Sequence, residues 1–236
     1  MIIRSRRARD VLRFSIPLAV IPALTAARAV FFGHKRYLII SLGAALLSLL
    51  LFSASFETRR ASSGTAAAAA VMTALAVTGR LVPVFKPVAA VIILSGVWLG
   101  PETGFLVGSL TALISNVFFG QGPWTPFQML AWGLSGLVAG YLSKPLKKSR
   151  PALLIYGAAA GAAYSLFMDV FTVLWYTDGI EPAAYLAAVT AALPFTAVYT
   201  VSNALFLLIA GKPVGRRLAR LKSRIDPPQV SSQTVI

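Results

Sequence analysis

Cysteine is missing from this chain, and histidine occurs once, at His34. A disulfide framework and a thiolate metal site are therefore excluded, and cysteine usage says nothing about the redox compartment. Acidic residues are scarce too: seven Asp and Glu stand against 22 Lys and Arg, and charged residues of both signs make up 12% of 236 positions. Soluble domains carry roughly a quarter, so this composition cannot clothe a water-facing surface. No GxxxxGK[ST] loop is present, which removes ATP hydrolysis by the chain itself. Any energy-driven work then needs a partner or an ion gradient.

What is abundant is apolar surface: 57% hydrophobic residues and a mean hydropathy of +0.77. A transmembrane helix takes ~20 mostly apolar residues. Eight such stretches follow nearly back to back, at 14–32, 37–56, 64–78, 88–100, 105–119, 127–143, 152–176 and 183–210. The pattern predicts an all-α integral membrane protein, one compact helical bundle without a soluble domain. Arg4 to Arg13 before an apolar run look like a signal peptide, but Pro22 and Arg28 interrupt that run. The first segment is therefore read as a retained helix.

A net charge of +15 would suggest nucleic acid in a soluble protein, but here the basic residues sit at the ends of apolar segments, where topology explains them. Nucleic-acid binding is not expected. Crossing the membrane eight times collects most Lys and Arg on one side: the N-terminal cluster, Arg59 and Arg60, the 144–150 connection and the tail from Lys212. Arg28, Lys35, Arg36, Arg80 and Lys86 fall at or near the other. This predicts a multi-pass protein of the cell membrane with both termini cytoplasmic. The connections 80–86, 121–127 and 178–181 then gather outside.

The segment Gly120-Gln121-Gly122-Pro123-Trp124-Thr125-Pro126-Phe127-Gln128 is too rich in aromatic, amide and restricted residues for a connection that only turns. It reads as a binding loop. Ser165, Asp169, Thr172 and Tyr176 recur at helical spacing and share a face. Gln128, Trp132 and Ser135 do so on the preceding segment, Thr196, Tyr199 and Asn203 on the last, and Ser115 with Asn116 on the fifth. These faces can converge on an outward-facing cavity.

Asp169 is the single carboxylate inside an apolar segment, at a cost of ~2.5–3.5 kcal/mol. It reads either as a ligand contact or proton site, or as a partner of Asn203 or Tyr199 between helices. Trp124 and Trp132 suit stacking on a planar ligand or an ordinary interfacial belt. Arg80 and Lys86 suit an anionic ligand group or lipid phosphate. Gly96, Gly100, Gly104 and Gly108, with the pairs Gly136/Gly140 and Gly157/Gly161, predict close helix packing. Ala66, Ala70 and Ala74 make a smooth stripe able to receive a partner helix. Gly133-Leu134-Ser135-Gly136 fits a membrane-protease GxSG, but His34 lies by a different pair of helices. No metal site, intrinsic cofactor or enzymatic activity is expected.

Lys86-Pro87, Gly96, Gly100, Glu102, Gly104-Phe105, Gly108, Ser115-Asn116, Phe119 to Thr125, Gln128-Met129 and Ala131-Trp132-Gly133 resemble the substrate-binding S component of energy-coupling factor (ECF) vitamin transporters. Within it they are similar to the cobalamin branch, which also has a Phe-Glu pair, as at Phe56-Glu57, and an arginine, as at Arg80. The resemblance spans roughly 37–211, and its specific part is the block 120–132. It implies a six-helix core at 61–211 that binds a micronutrient from outside, preceded by two accessory helices within 1–60 and followed by a basic cytoplasmic tail at 212–236. It also implies association with a membrane-embedded coupling subunit and two cytoplasmic ATPases, docked through the alanine motif at Ala70 and Ala74, with Ala66 a turn earlier. The ligand, cobalamin or a related corrinoid, is expected at Lys86, Asn116, Gln121, Trp124, Gln128, Trp132, Asp169, Tyr176 and Asn203. A different class of function, a self-contained proton-coupled transporter using Asp169, would show uptake that persists without ATP; an intramembrane serine protease built on Ser135 is the remote reading.

Overall fold

A computed structural model of the chain describes residues 63–177 and 181–225. The two N-terminal apolar segments, with Arg28, His34 and Phe56-Glu57, lie outside the described residues, as does Asp178. Seven helices follow in order: α1 (Ser63–Leu81), α2 (Val88–Leu99), α3 (Pro101–Phe119), α4 (Thr125–Tyr141), α5 (Ser143–Lys148), α6 (Arg150–Tyr176) and α7 (Pro182–Ile225). Among the described residues there is no strand. Four helices, α1, α3, α6 and α7, are long and apolar enough to cross a membrane. With α2 and α4 they form the all-helical membrane bundle that the composition predicts.

The shortest membrane helix holds the centre. α2 has 12 residues, ~18 Å of rise, too little for a ~30 Å hydrocarbon core. It packs against each of the other six described helices and buries all but one of its residues. Hidden there, an all-round apolar sequence such as Val91-Ile92-Ile93-Leu94 needs no polar face.

Glycine decides how near its neighbours come. A Cβ on Gly136 would lie 2.2 Å from the Gly104 carbonyl oxygen, and one on Gly96 would lie 2.0 Å from that of Gly136. At Gly108 the obstacle is the Trp132 carbonyl, at 2.4 Å. Backbone thus meets backbone where α2, α3 and α4 converge, and the fourfold glycine spacing does serve close packing.

The Pro- and Gly-bearing connection 101–104, which separates the stretches 88–100 and 105–119 and reads as a tight turn, is helical instead. Pro101 to Gly104 are the first turn of α3, and the reversal is made by Gly100 alone, at φ +123°, a conformation open to glycine. Pro101 at the first helical position gives up an N–H that would have no partner there. The 144–150 connection contains α5, and α7 runs on to Ile225 instead of ending near 210. Its polar extension is held by tertiary contacts: Gly215 abuts the Trp98 ring, Leu218 is buried, and Lys222 Nζ donates to the Leu99 carbonyl at 3.3 Å.

Candidate ligand-binding site

One chain of side-chain hydrogen bonds ties four helices together beside the 82–87 and 120–124 connections. It starts at Arg80, in the last turn of α1. Such a position could let the guanidinium snorkel to headgroups, but the residue is 8% exposed and turns inward. Arg80 Nη1 donates to Ser115 Oγ and, at 2.7 Å, to Asn116 Oδ1. Asn116 Nδ2 donates onward to Thr125 Oγ1 and to Gln128 Oε1, both at 2.8 Å. Gln128 Nε2 then donates to the Tyr164 hydroxyl at 2.9 Å.

Aromatic rings run beside this chain. The Arg80 guanidinium lies 4.6 Å from the Phe119 ring centre and 5.1 Å from that of Trp132. Trp132 stacks on Tyr164 at 4.8 Å with 16° between planes, and Tyr164 meets Tyr199 edge-on at 5.1 Å. A cation over aromatic faces is attracted by the ring quadrupole, so the ladder shares the task of holding Arg80 with the hydrogen bonds.

The binding-loop segment closes over this centre. Thr125 Oγ1 donates to Gln121 Oε1 at 3.0 Å, and Gln121 Nε2 donates to the Leu113 carbonyl at 2.7 Å, so exposed Gln121 is pinned to the end of α3. Trp124 is half-buried. It packs with Phe127 and Phe171, and its ring covers Gly122, where a Cβ would sit 2.3 Å from it. Lys86, half-buried, donates from Nζ to the Arg80 carbonyl at 2.9 Å and lies 5.6 Å from the Phe119 ring centre. Burial, and next to it the charge of Arg80, pull the Lys86 ammonium below the ordinary lysine range.

Inward of this layer an open groove of about 310 Å³ lies between α4 and α6, with walls that include Ala131, Ser135, Ala160 and Phe167. Tyr164 borders it as well, so the polar chain and the groove share one residue. Tyr156 closes its inner part by donating to the Ser135 carbonyl at 2.8 Å.

Lys86, Asn116, Gln121, Gln128 and Trp132 thus come together, with Trp124 at the edge. Asp169 stands apart. Ser165, one turn along, accepts from Thr196 of α7 at 2.6 Å, which turns this face of α6 toward α7. Asp169 is 7% exposed, and its Oδ2 has no hydrogen-bond partner among the described residues. The expected bond to Asn203 is not made: Asn203 Oδ1 accepts from the Ala90 N–H at 2.8 Å, and its Nδ2 donates to the Tyr199 carbonyl at 2.7 Å. Asn203 therefore satisfies a donor in the first turn of α2, which Pro87 leaves without a side-chain cap. Tyr176 is 79% exposed and does not join the cluster. Ala66, Ala70 and Ala74 are all exposed on the outer face of α1, beside exposed Val71 and Leu75.

Tyr164 is the member that sequence reasoning missed. Its signal was a phenol in mid-helix, whose hydroxyl needs a partner when buried.

A family model described as "ECF-type riboflavin transporter, S component" matches residues 60–220. A UPF0397 protein of Vibrio atlanticus (strain LGP32) is 33% identical over 150 residues, 59% of this chain and 79% of the relative. UPF0397 proteins of Aliivibrio salmonicida (strain LFI1238) and Aliivibrio fischeri (strain MJ11) are each 29% identical over 154 residues, 61% of this chain and 81% of theirs. No solved structure matches the chain.

Proposed function

We propose, for a chain that belongs to the ECF-type riboflavin transporter S component family, that it captures a vitamin at its outer mouth and is driven by ATPases on other polypeptides. Both termini lie in the cytoplasm on this reading. The observation that carries it is the convergence of Arg80, Asn116, Gln128, Trp132 and Tyr164 beneath a loop pinned by Gln121. Amides and hydroxyls fix orientation in such a site while aromatic faces supply contact area. Lys86, Trp124 and Gln121 meet the ligand first, and Trp132 and Asn116 support it from below.

The vitamin is the finer part of the proposal. A groove of about 310 Å³ stands at the small end of the ~300–1,000 Å³ typical for drug-sized ligands. That suits a flat ring system of flavin size, the class named by the family. The block 120–132 supports a second reading, cobalamin or a related corrinoid; such a macrocycle would be held by the outer loops instead of entering the groove.

The exposed alanine stripe on α1 is the proposed seat of the membrane coupling subunit. Small side chains permit close approach without polar groups to desolvate. The test is a binding titration of the purified protein with riboflavin, cobalamin, biotin and thiamine, with Ala70→Trp alongside. Ala70→Trp should bind as the wild type does and fail to co-purify with the coupling subunit. An intact complex would refute the docking face, and accumulation driven by the lone chain in vesicles would refute the division of labour.

A further inference from the structure

At the Arg80–Lys86 corner two cations crowd together, and their partners among the described residues are all neutral. Arg80 bonds a hydroxyl and an amide oxygen through Nη1 and rests on two rings. A guanidinium has five N–H donors, and those on Nε and Nη2 have no hydrogen-bond acceptor among the described residues. Lys86 faces the same Phe119 ring, and among the described residues neither cation makes an ion pair. A buried charge without a counter-charge is costly. Inside a membrane bundle it marks a substrate path.

The loop that presents Lys86 is also held under strain. Val84 has φ +63°, and the Phe85 N–H donates to the Pro83 carbonyl at 2.6 Å, a tight three-residue turn of the rare strained kind. A β-branched residue at positive φ is strained and is kept where the surroundings enforce it. Here the turn aims Lys86 back over the end of α1.

We infer that this corner receives an anionic group, a carboxylate or phosphate, carried by the imported molecule. The inference rests on the vitamin-binding reading and narrows it: the ligand has a flat ring and an acidic arm. The Arg80 fork supplies directional donors and Lys86 a second, more mobile charge, the pairing that suits carboxylate and phosphate oxygens. An anion would also relieve the repulsion from Arg80 that, second to burial, lowers the Lys86 pKa. Because the guanidinium turns away from the helix end, a soluble ligand reaches it more readily than a lipid headgroup.

The experiment uses the full chain in phosphatidylcholine nanodiscs and two matched pairs of probes, riboflavin with riboflavin 5′-phosphate and biotin with its methyl ester. The charged member of at least one pair should bind about tenfold tighter or better, the lower end for one charge-assisted hydrogen bond. Arg80→Gln should erase that preference, lowering the charged member's affinity about tenfold more than the neutral member's. Lys86→Gln, on the loop, should reduce the preference and keeps the test open if Arg80→Gln does not fold. Equal binding of both members by the wild type, or an equal loss of both in Arg80→Gln, overturns the inference and leaves the vitamin reading intact. Absence of binding by every probe and by cobalamin overturns both. If adding phosphatidylglycerol abolishes the preference, and Arg80→Gln retains less of that lipid on purification, the anion is a headgroup and the inference fails.

Discussion

Replacing Asn116 with alanine should loosen the bundle more than any other single change to an uncharged side chain in the polar chain. The residue is fully buried and makes three side-chain bonds, to Arg80, Thr125 and Gln128. A bond to a charged group contributes ~1.5–3 kcal/mol and a neutral one ~0.5–1.5. Arg80 keeps Ser115 and Thr125 keeps Gln121, so the lower part of the sum applies, about 3 kcal/mol. For a chain of this length that is a fall in Tm of roughly 6–12 °C, readable from intrinsic tryptophan fluorescence during heating in a fixed detergent. Asn116→Asp gives a sharper comparison. It keeps an oxygen for Arg80 and adds a counter-charge, but it turns the donor toward Gln128 Oε1 into an acceptor. The aspartate should cost less stability than the alanine and should occupy the place of an incoming anion, so the charged probes lose affinity. If Asn116→Ala melts within about 2 °C of the wild type, under ~1 kcal/mol, the hydrogen-bond chain is not what joins α1, α3, α4 and α6.

Gly136→Ala forces a Cβ to within 2.2 Å of backbone on α3 and should cost roughly 1–3 kcal/mol. Gly211→Ala, whose nearest contact is 3.5 Å, should be near neutral in the same melting assay. Asp169→Asn replaces a buried carboxyl whose Oδ2 is unpartnered among the described residues and should raise the Tm of the ligand-free protein; a lower Tm would mean that the carboxylate is paired. Lys86 has a folded pKa below the ordinary 10.5, so between the two values the unfolded chain binds more protons and stability rises with pH. Affinity for an anionic probe runs the other way, falling as pH climbs through that lowered value. Lys86→Gln should flatten both trends in an alkaline titration series.

The bundle was legible because apolar runs of helix length tolerate few other readings, and the glycine spacing announced where helices touch. Boundaries were less so. Pro101 to Gly104 looked like a turn since Pro and Gly punctuate turns, yet Gly100 alone reverses the chain. The end of α7 was hidden by its polar, basic composition, because the contacts of Gly215 and Lys222 with α2 come from far along the chain. Within the site, Asn116, Gln128 and Trp132 were found from polar residues on apolar helices, the one signal a sequence gives for a membrane interior. Asn203 carried the same signal and is used on the Ala90 backbone, a need that arises only once α2 is packed. Helical periodicity placed Asp169 and Tyr176 on one face, but it could not tell that this face turns to α7 or that Tyr176 lies beyond its cover.

Three helices joined through glycine leave no slack between them, so α2, α3 and α4 move as one plate. Compliance is left to the other side, where the alanine-lined space between α4 and α6 stays unfilled and Tyr156 provides a latch to Ser135. A guest pushing into that gap would swing α6 outward with α7 leaning on it, while α1 and its alanine stripe stayed fixed to the plate. Loading and docking would then work on opposite flanks, and a tether between α4 and α6 would stop the first without touching the second.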